Sequence, residues 1–405
     1  MVDEAFCTLP ERYLGADPGF DATYQITLGD LGRTWEVRCT SRAARARKGG
    51  TRRRPDVTMS TDSDTWMALR RGEFSGVDAF QRRLLAVRGN LDQAIAFEGM
   101  FRLPGGRPPL LEIHDIPVGR HRISTLTMGQ GPDVLLLHGL GGTRASLFET
   151  AAELSRSYRV HAPDLPGFGS SGKPTLGAYN ARWFAEIMLG LLDQLEVDRT
   201  HVVGNSMGGR IAIELGLVAP ERIRALGLLC PAVAWLKRGL HPIVRMLRPE
   251  FGLLPHGLRR STVAAQFWSL FCDRDLIDPA VLDLVVDEFQ RIYHTAGARY
   301  ALLASARNIY LEAPFGRSGF YRRLAELQPP ALFVWGSHDW LVPAAFSPHV
   351  RKWLPQAEQV TLERCGHVPQ VERPEETNRL LLDFFARTER TEGSVRTLAA
   401  GAEAA

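Results

Sequence analysis

Cysteine is scarce. Cys7, Cys39, Cys230, Cys272 and Cys365 are the full complement of a 405-residue chain, and no two stand at CxxC spacing. An odd, scattered set argues against a disulfide framework or a thiolate metal cluster, and predicts reduced thiols in a cytosol. No apolar run is long enough to span a bilayer as a helix. The opening Met1-Val2-Asp3-Glu4-Ala5-Phe6 has neither a basic stretch nor an apolar one, which predicts no secretory signal. Phosphate-cradling glycine loops, dinucleotide fingerprints, metal-ligand spacings and internal repeats are all missing, so no cofactor and no metal are expected.

What remains has the balance of an ordinary globular protein. Hydrophobic residues make up 45% and charged residues 23%, with a net charge of +4, and the length suits two domains. Much of the positive charge gathers in Arg42–Arg54, RAARARKGGTRRR. Such a run most often forms a solvated loop. The sharper reading is contact with anionic lipid headgroups or acidic partners at a membrane surface. No aromatics interleave with the arginines as stacking platforms for bases, which speaks against nucleic acid.

The first 107 residues form one compositional unit. Thr23–Leu28 and Thr34–Cys39 alternate in polarity around Gly29-Asp30-Leu31-Gly32, a β-hairpin pattern. Asp56-Val57-Thr58-Met59-Ser60 reads as a further strand. Ser63 is placed to cap a helix through Arg71 that stops at Gly72, and Ala79–Ala86 fits a helix or a strand equally. Val87-Arg88-Gly89-Asn90 then turns into a last helix, Leu91–Phe101. The hairpin, Pro55–Ser60, Trp66-Met67-Ala68-Leu69-Arg70-Arg71-Gly72 and Gly89-Asn90-Leu91-Asp92-Gln93-Ala94, in that order, resemble the sterol carrier protein family over about the first hundred residues. The resemblance implies a small α+β domain, a twisted sheet with helices on one face, around an apolar tunnel for lipids or sterols. The arginine-rich loop departs from the family pattern, at the mouth of that tunnel.

Pro104-Gly105-Gly106-Arg107-Pro108-Pro109 is a linker. After it, apolar strands (Val134–Leu137, Arg159–Ala162, Thr200–Val203, Ala225–Leu229, Ala331–Trp335) alternate with helical stretches such as Trp183–Leu195. That alternation predicts an α/β domain over residues 108–387, with a mostly parallel sheet and helices on both faces. Between about 231 and 327 the strand pattern gives way to helical periodicity, which predicts an inserted helical cap. Residues 388–405, polar and rich in Ala and Gly, are expected to be a disordered tail.

The chemistry concentrates at three places. Gly204-Asn205-Ser206-Met207-Gly208 fits G-x-S-x-G between a strand and a helix, the setting in which a serine hydroxyl is thrust out on a strained turn. A serine needs a base, and Cys365-Gly366-His367-Val368-Pro369 presents His367 on a loop after the strand-like Gln359–Leu362. The acid follows a late strand, as Asp339 does in Gly336-Ser337-His338-Asp339; one strand earlier stands Cys230-Pro231, which cannot fill the role. An oxyanion needs backbone donors, and the N–H groups of Leu140, in His138-Gly139-Leu140-Gly141-Gly142, and Met207 are placed to supply them. His138 reads as a tie for that loop, and Asp164–Gly169 as a rigid turn.

These segments resemble the α/β-hydrolase superfamily in content and order over about Leu110 to Arg387. The resemblance implies a catalytic triad of Ser206, Asp339 and His367, and leaves the substrate open. The leading expectation is a cytoplasmic serine esterase of lipid metabolism that cleaves lipophilic carboxylic esters through an acyl-enzyme. Trp235, Leu236, Phe251, Phe267, Trp268 and Phe271 would line its pocket or form the cap's core, and a lipid or sterol would be the ligand of the first domain. Two alternatives stand beside it. One is hydrolysis of a carbon–carbon bond in vinylogous diketones from ring cleavage: Gly204–Gly209 resembles that subgroup's elbow, although the oxyanion segment His138-Gly139-Leu140-Gly141-Gly142 and Val368 depart from it. The other is a lipid carrier with an inactive hydrolase half.

Overall fold

A computed structural model describes residues 2–234, 241–246, 248–254, 257 and 259–403. It contains two sheets. The first has five strands, β1 (Asp21–Leu28), β2 (Arg33–Thr40), β3 (Ala44–Lys48), β4 (Val57–Thr61) and β5 (Ala86–Gly89), in the order β3-β2-β1-β4-β5. In β1 alternate residues are buried, Ala22, Tyr24, Ile26 and Leu28, because one face of the sheet packs on helices Ser63–Arg71 and Leu91–Gly99.

Two local expectations need correction. The cap of helix Ser63–Arg71 is Asp62, whose carboxylate accepts from Thr65 N at 2.7 Å; the Ser63 hydroxyl instead donates to Asp30. The basic run is not wholly loop. Ala44 and Ala46 alternate with Arg45 and Arg47, so residues 44–48 pair antiparallel with β2 as an edge strand. Arg47 stands opposite Glu36 and pairs with it at 3.2 Å. Long cationic side chains on an exposed edge also deter further strand pairing.

The second sheet has eight strands: β6 (Leu111–Val118), β7 (His121–Met128), β8 (Asp133–Leu137), β9 (Arg159–Pro163), β10 (Thr200–Asn205), β11 (Ile223–Leu229), β12 (Ala331–Gly336) and β13 (Glu358–Leu362). Their order is β13-β12-β11-β10-β8-β9-β7-β6, with β6 and β7 antiparallel and the run from β9 to β13 parallel. Val134–Leu137 are wholly buried, as a strand covered on both faces must be, and each such side chain contributes about 1.5–3 kcal/mol. Between β11 and β12 the described residues form the helices His241–Met246, Arg260–Trp268, Pro279–Tyr293, Ala296–Leu311 and Phe320–Leu324.

Phe267, Trp268 and Phe271, each partly buried, pack against Val263, Leu282 and Val286 within the cap. Phe251 is exposed, and Trp235 and Leu236 lie outside the described residues. Residues 388–403, within the tail expected to be disordered, continue helix Pro374–Glu403. Its Ala, Glu, Arg and Leu residues favour helix, and a helix already nucleated on a packed segment extends at little cost.

The two halves share a core. Val77, Leu91 and Ile95 belong to one apolar cluster with Leu111, Phe148, Ala151 and Leu284. A buried ionic node reinforces the joint. Arg144, 1% exposed, donates to Asp92 at 3.0 Å and to Ser124 O at 3.1 Å, while its own N–H meets Asp164 at 2.9 Å. Asp92 belongs to the first half; it also accepts from the Ser170 hydroxyl and lies 3.6 Å from Arg291 of the cap. Burial raises the Asp92 carboxyl, but Arg144, Ser170 and Arg291 together hold it below the usual range. Removing Asp92 from this set leaves the buried Arg144 with Asp164 alone, 3.6 Å away, as its carboxylate. Asp92→Ala is therefore expected to cost about 3 kcal/mol, read as a lowered denaturant midpoint. A wild-type midpoint would show that the node carries no weight.

Candidate active site

Ser206 lies at the single-residue junction of β10 and helix Met207–Val218, with φ 54° and ψ −113°. A non-glycine residue there stores about 1–3 kcal/mol of strain, which the surroundings must hold in place. They do so through three backbone bonds: Ser206 N donates to Leu229 O at 2.9 Å, and Ser206 O accepts from Arg210 N and Ala232 N. The flanking glycines are required by close approach. A side chain at 204 would overlap the carbonyl of Gly208, and one at 208 the carbonyls of Leu137 and His138. Ser206 keeps 8% exposure at the bottom of the site.

Asp339 and His367 meet. His367 Nδ1 lies 2.7 Å from Asp339 Oδ2, with both side chains buried. Asp339 Oδ1 is filled by the N–H groups of Leu341 and Val342 at 2.8 and 2.9 Å, so the carboxylate has one orientation. A carboxylate only accepts, so the proton of a neutral His367 sits on Nδ1 and leaves Nε2 as a base. Asn205, next to Ser206, donates from Nδ2 to Leu229 O at 3.0 Å and to His367 O at 3.2 Å. The serine turn and the histidine loop are thus held by one buried amide.

The N–H groups of Leu140 and Met207 have no acceptor among the described residues. For Met207 this follows from its place at the first position of a helix. The Leu140 loop is fixed from below by His138, whose Nδ1 bonds Gly139 O at 2.8 Å and whose Nε2 accepts from Leu165 N at 2.9 Å. Burial lowers the His138 pKa, which suits a neutral tie. A side chain at Gly141 would touch Phe289 and Leu302 of the cap helices, so the loop lies under the cap.

Three features escaped the sequence. Glu372 joins cap to histidine loop, accepting from Cys272 N and Asp273 N at 2.8 and 2.6 Å and from Gly366 N at 2.6 Å. Arg210 ties the serine helix to the end of helix Ala296–Leu311 through Glu312 at 2.7 Å. Cys230, at φ 42°, lies with its sulfur within 4.8 Å of the Asp339 and His367 ligand atoms. These three could form a metal-ligand set. Burial, then Asp339 and Cys365, push the Cys230 thiol well up, and Asp339 is already spent on His367 and two backbone donors, so the arrangement fits proton transfer better than a metal. A one-residue signal for Glu372 was present, an acid five residues after His367, but nothing local marks its partners.

Residues 134–380 match the alpha/beta hydrolase family and residues 18–102 the SCP-2 sterol transfer family. The chain is 31% identical to the dihydrolipoyllysine-residue acetyltransferase component of an acetoin cleaving system from Pseudomonas putida, over 64% of each chain, so it spans less than two thirds of that relative. It is 30% identical to the pimeloyl-(acyl-carrier protein) methyl ester esterase of Aeromonas hydrophila, covering 65% of this chain and 98% of that one. A 2-hydroxymuconate semialdehyde hydrolase of Pseudomonas putida is also 30% identical, over 68% and 94%. The crystal structure of a membrane phospholipase A, a bacterial virulence factor, superposes with a TM-score of 0.58 at 29% identity, over 69% of this chain and 87% of that one.

Proposed function

The chain belongs to the alpha/beta hydrolase family, and on that footing we propose that it is a serine hydrolase of lipophilic carboxylic esters, with Ser206, His367 and Asp339 as its triad. The observation that carries the reading is the oriented His367–Asp339 pair, tied through Asn205 to a strained serine turn beside two backbone donors without acceptors. Ser206 Oγ attacks the acyl carbon while His367 Nε2 takes its proton. The new oxyanion is received by the N–H groups of Leu140 and Met207. His367 returns the proton to the departing alcohol, and a water that it then deprotonates releases the acid. Asp339 keeps its charge throughout and stabilises the imidazolium.

A methyl ester esterase and a phospholipase A among the similar proteins favour an ester, and the fused SCP-2 unit favours a lipophilic one. The first unit would hold a lipid and raise its local concentration beside the site through the shared chain. All five cysteines are unpaired and no helix among the described residues is long and apolar enough to cross a membrane, in keeping with work in the cytoplasm. Arg42, Arg52, Arg53 and Arg54 would be its contact with anionic headgroups, should it visit a membrane surface.

The similarity to the 2-hydroxymuconate semialdehyde hydrolase supports a second reading, cleavage of a carbon–carbon bond. One comparison separates the two: turnover of p-nitrophenyl esters from acetyl to palmitoyl against a ring-cleavage dienoate. The ester reading expects kcat/KM to rise with chain length and to exceed that for the dienoate. A dienoate turned over faster than every ester would replace it with the second reading.

A further inference from the structure

The loop that carries Leu140 is pinned at both ends to one turn. His138, at its start, accepts from Leu165 N at 2.9 Å, and Arg144, just past its end, donates its N–H to Asp164 Oδ1 at 2.9 Å. The turn is closed on itself by Ser170 N, which donates to Asp164 Oδ2 at 2.9 Å. Leu140, whose N–H has no acceptor among the described residues, lies between the two pins.

A third grip comes from outside the hydrolase half. Asp92, on helix Leu91–Gly99 of the first half, accepts from the Arg144 guanidinium at 3.0 Å and from the Ser170 hydroxyl. It thus holds both the end of the loop and the turn that pins it. Its Oδ2 also lies 3.6 Å from Arg291. Arg291 belongs to helix Pro279–Tyr293, and so does Phe289, whose ring stands 3.4 Å from the place a Cβ at Gly141 would take. One carboxylate is therefore linked to the oxyanion loop and to the cap helix that lies against it. Arg144 has Asp164 as a second acid and Arg291 has Glu288, but Asp92 is the one acid among the described residues that pairs with both. Without its charge, two guanidinium groups face each other across a largely desolvated joint and repel, which pushes the cap helix and the loop apart.

We propose that Asp92 is a positioning residue for the hydrolase reaction: from the far side of the linker it fixes the loop that aims the Leu140 N–H at the oxyanion. It touches no reacting atom and acts through Arg144, Ser170 and Arg291. The proposal rests on the serine-hydrolase reading, with Leu140 as an oxyanion donor, and adds that the first half is part of the catalytic apparatus as well as a holder of lipid. Donors stabilise a developing charge only when they are held in place beforehand, and Asp92 supplies part of that hold.

The test compares the full chain as wild type and as Asp92→Asn, a change that keeps the side chain's shape and removes its charge. Titration with a fluorophosphonate counts the competent Ser206 in each, so kcat for p-nitrophenyl acetate is expressed per folded site. Two further quantities are read: KM, and Ki for an alkyl trifluoromethyl ketone. Ser206 Oγ bonds to the carbonyl carbon of that ketone, its proton passes to His367, and the carbonyl oxygen becomes an oxyanion in the hole. Asp92→Asn is expected to lower kcat about tenfold and to weaken the ketone by the same factor, because a whole oxyanion donor is worth about 10²–10³-fold and is here displaced rather than removed. KM is expected to stay within about twofold, since the loss falls on the transition state. A merely structural Asp92 would lower the denaturant midpoint and leave kcat per titrated site and Ki at wild-type values, which overturns the proposal and leaves the hydrolase reading standing. A fall in kcat without a matching loss of ketone affinity places the defect away from the oxyanion and also overturns it. If Asp92→Asn yields no titratable serine, Ser170→Ala decides. That variant removes one bond that orients the carboxylate, and is expected to lower kcat and ketone affinity together by about threefold; wild-type values overturn the proposal. A wild type that neither turns over the ester nor takes up the fluorophosphonate overturns the hydrolase reading and the proposal together.

Discussion

Ser206→Ala is expected to lower kcat for a p-nitrophenyl ester by about 10⁵–10⁶-fold, because the members of a triad act as a unit and removing the nucleophile removes the covalent path. KM should change little, since the hydroxyl contributes to the transition state more than to ground-state binding. Stability should also hold. Alanine at φ 54° is as strained as serine, and the three backbone bonds that fix the turn do not involve the side chain. A fluorophosphonate should add its mass to the peptide containing Ser206 in wild type and to nothing in the variant. Retention of more than a small fraction of turnover would mean that another group attacks.

Asp339→Asn should cost about 10⁴-fold in kcat at neutral pH with the fold intact. The amide oxygen can still accept from Leu341 and Val342, which directs the amide N–H₂ at His367 Nδ1. A donor there forces the imidazole proton onto Nε2, the wrong tautomer for a base, and removes the charge that stabilises imidazolium. The check is kcat together with the melting temperature. A loss below tenfold would show that His367 takes its orientation from elsewhere; a collapsed melting temperature would move Asp339 from chemistry to structure.

The proposed triad was legible in the sequence because each member rests on a local constraint. Gly204 and Gly208 flank Ser206 because backbone passes where a side chain would be, and that need is written in five consecutive residues. Long-range features left weaker traces. The hairpin β6–β7 leaves a weak trace since Glu112, His114, Asp115 and Arg122 interrupt its apolar pattern, and it is the antiparallel edge of an otherwise parallel sheet. The edge strand β3 was hidden inside a charge run. Asp62 and Ser63 are both good caps, and the choice was made by Asp30, some thirty residues earlier, which engages Ser63. No local pattern announces that Asp92 will meet Arg144, because the two are brought together only when the halves pack.

That last pairing bears on how such a protein can be recombined. A linker rich in Pro and Gly at 104–109 invites the view that either half could be exchanged for another of its kind. Yet Arg144 draws one of its two carboxylate partners from a helix on the far side of that linker, and Leu111 and Phe148 pack against Val77, Leu91 and Ile95 of the first half. A chimera that kept the second half and replaced the first would leave the Arg144 guanidinium with Asp164 as its one remaining carboxylate, and two bare apolar side chains. The heritable unit is the pair, and Asp92 and Arg144 must travel together.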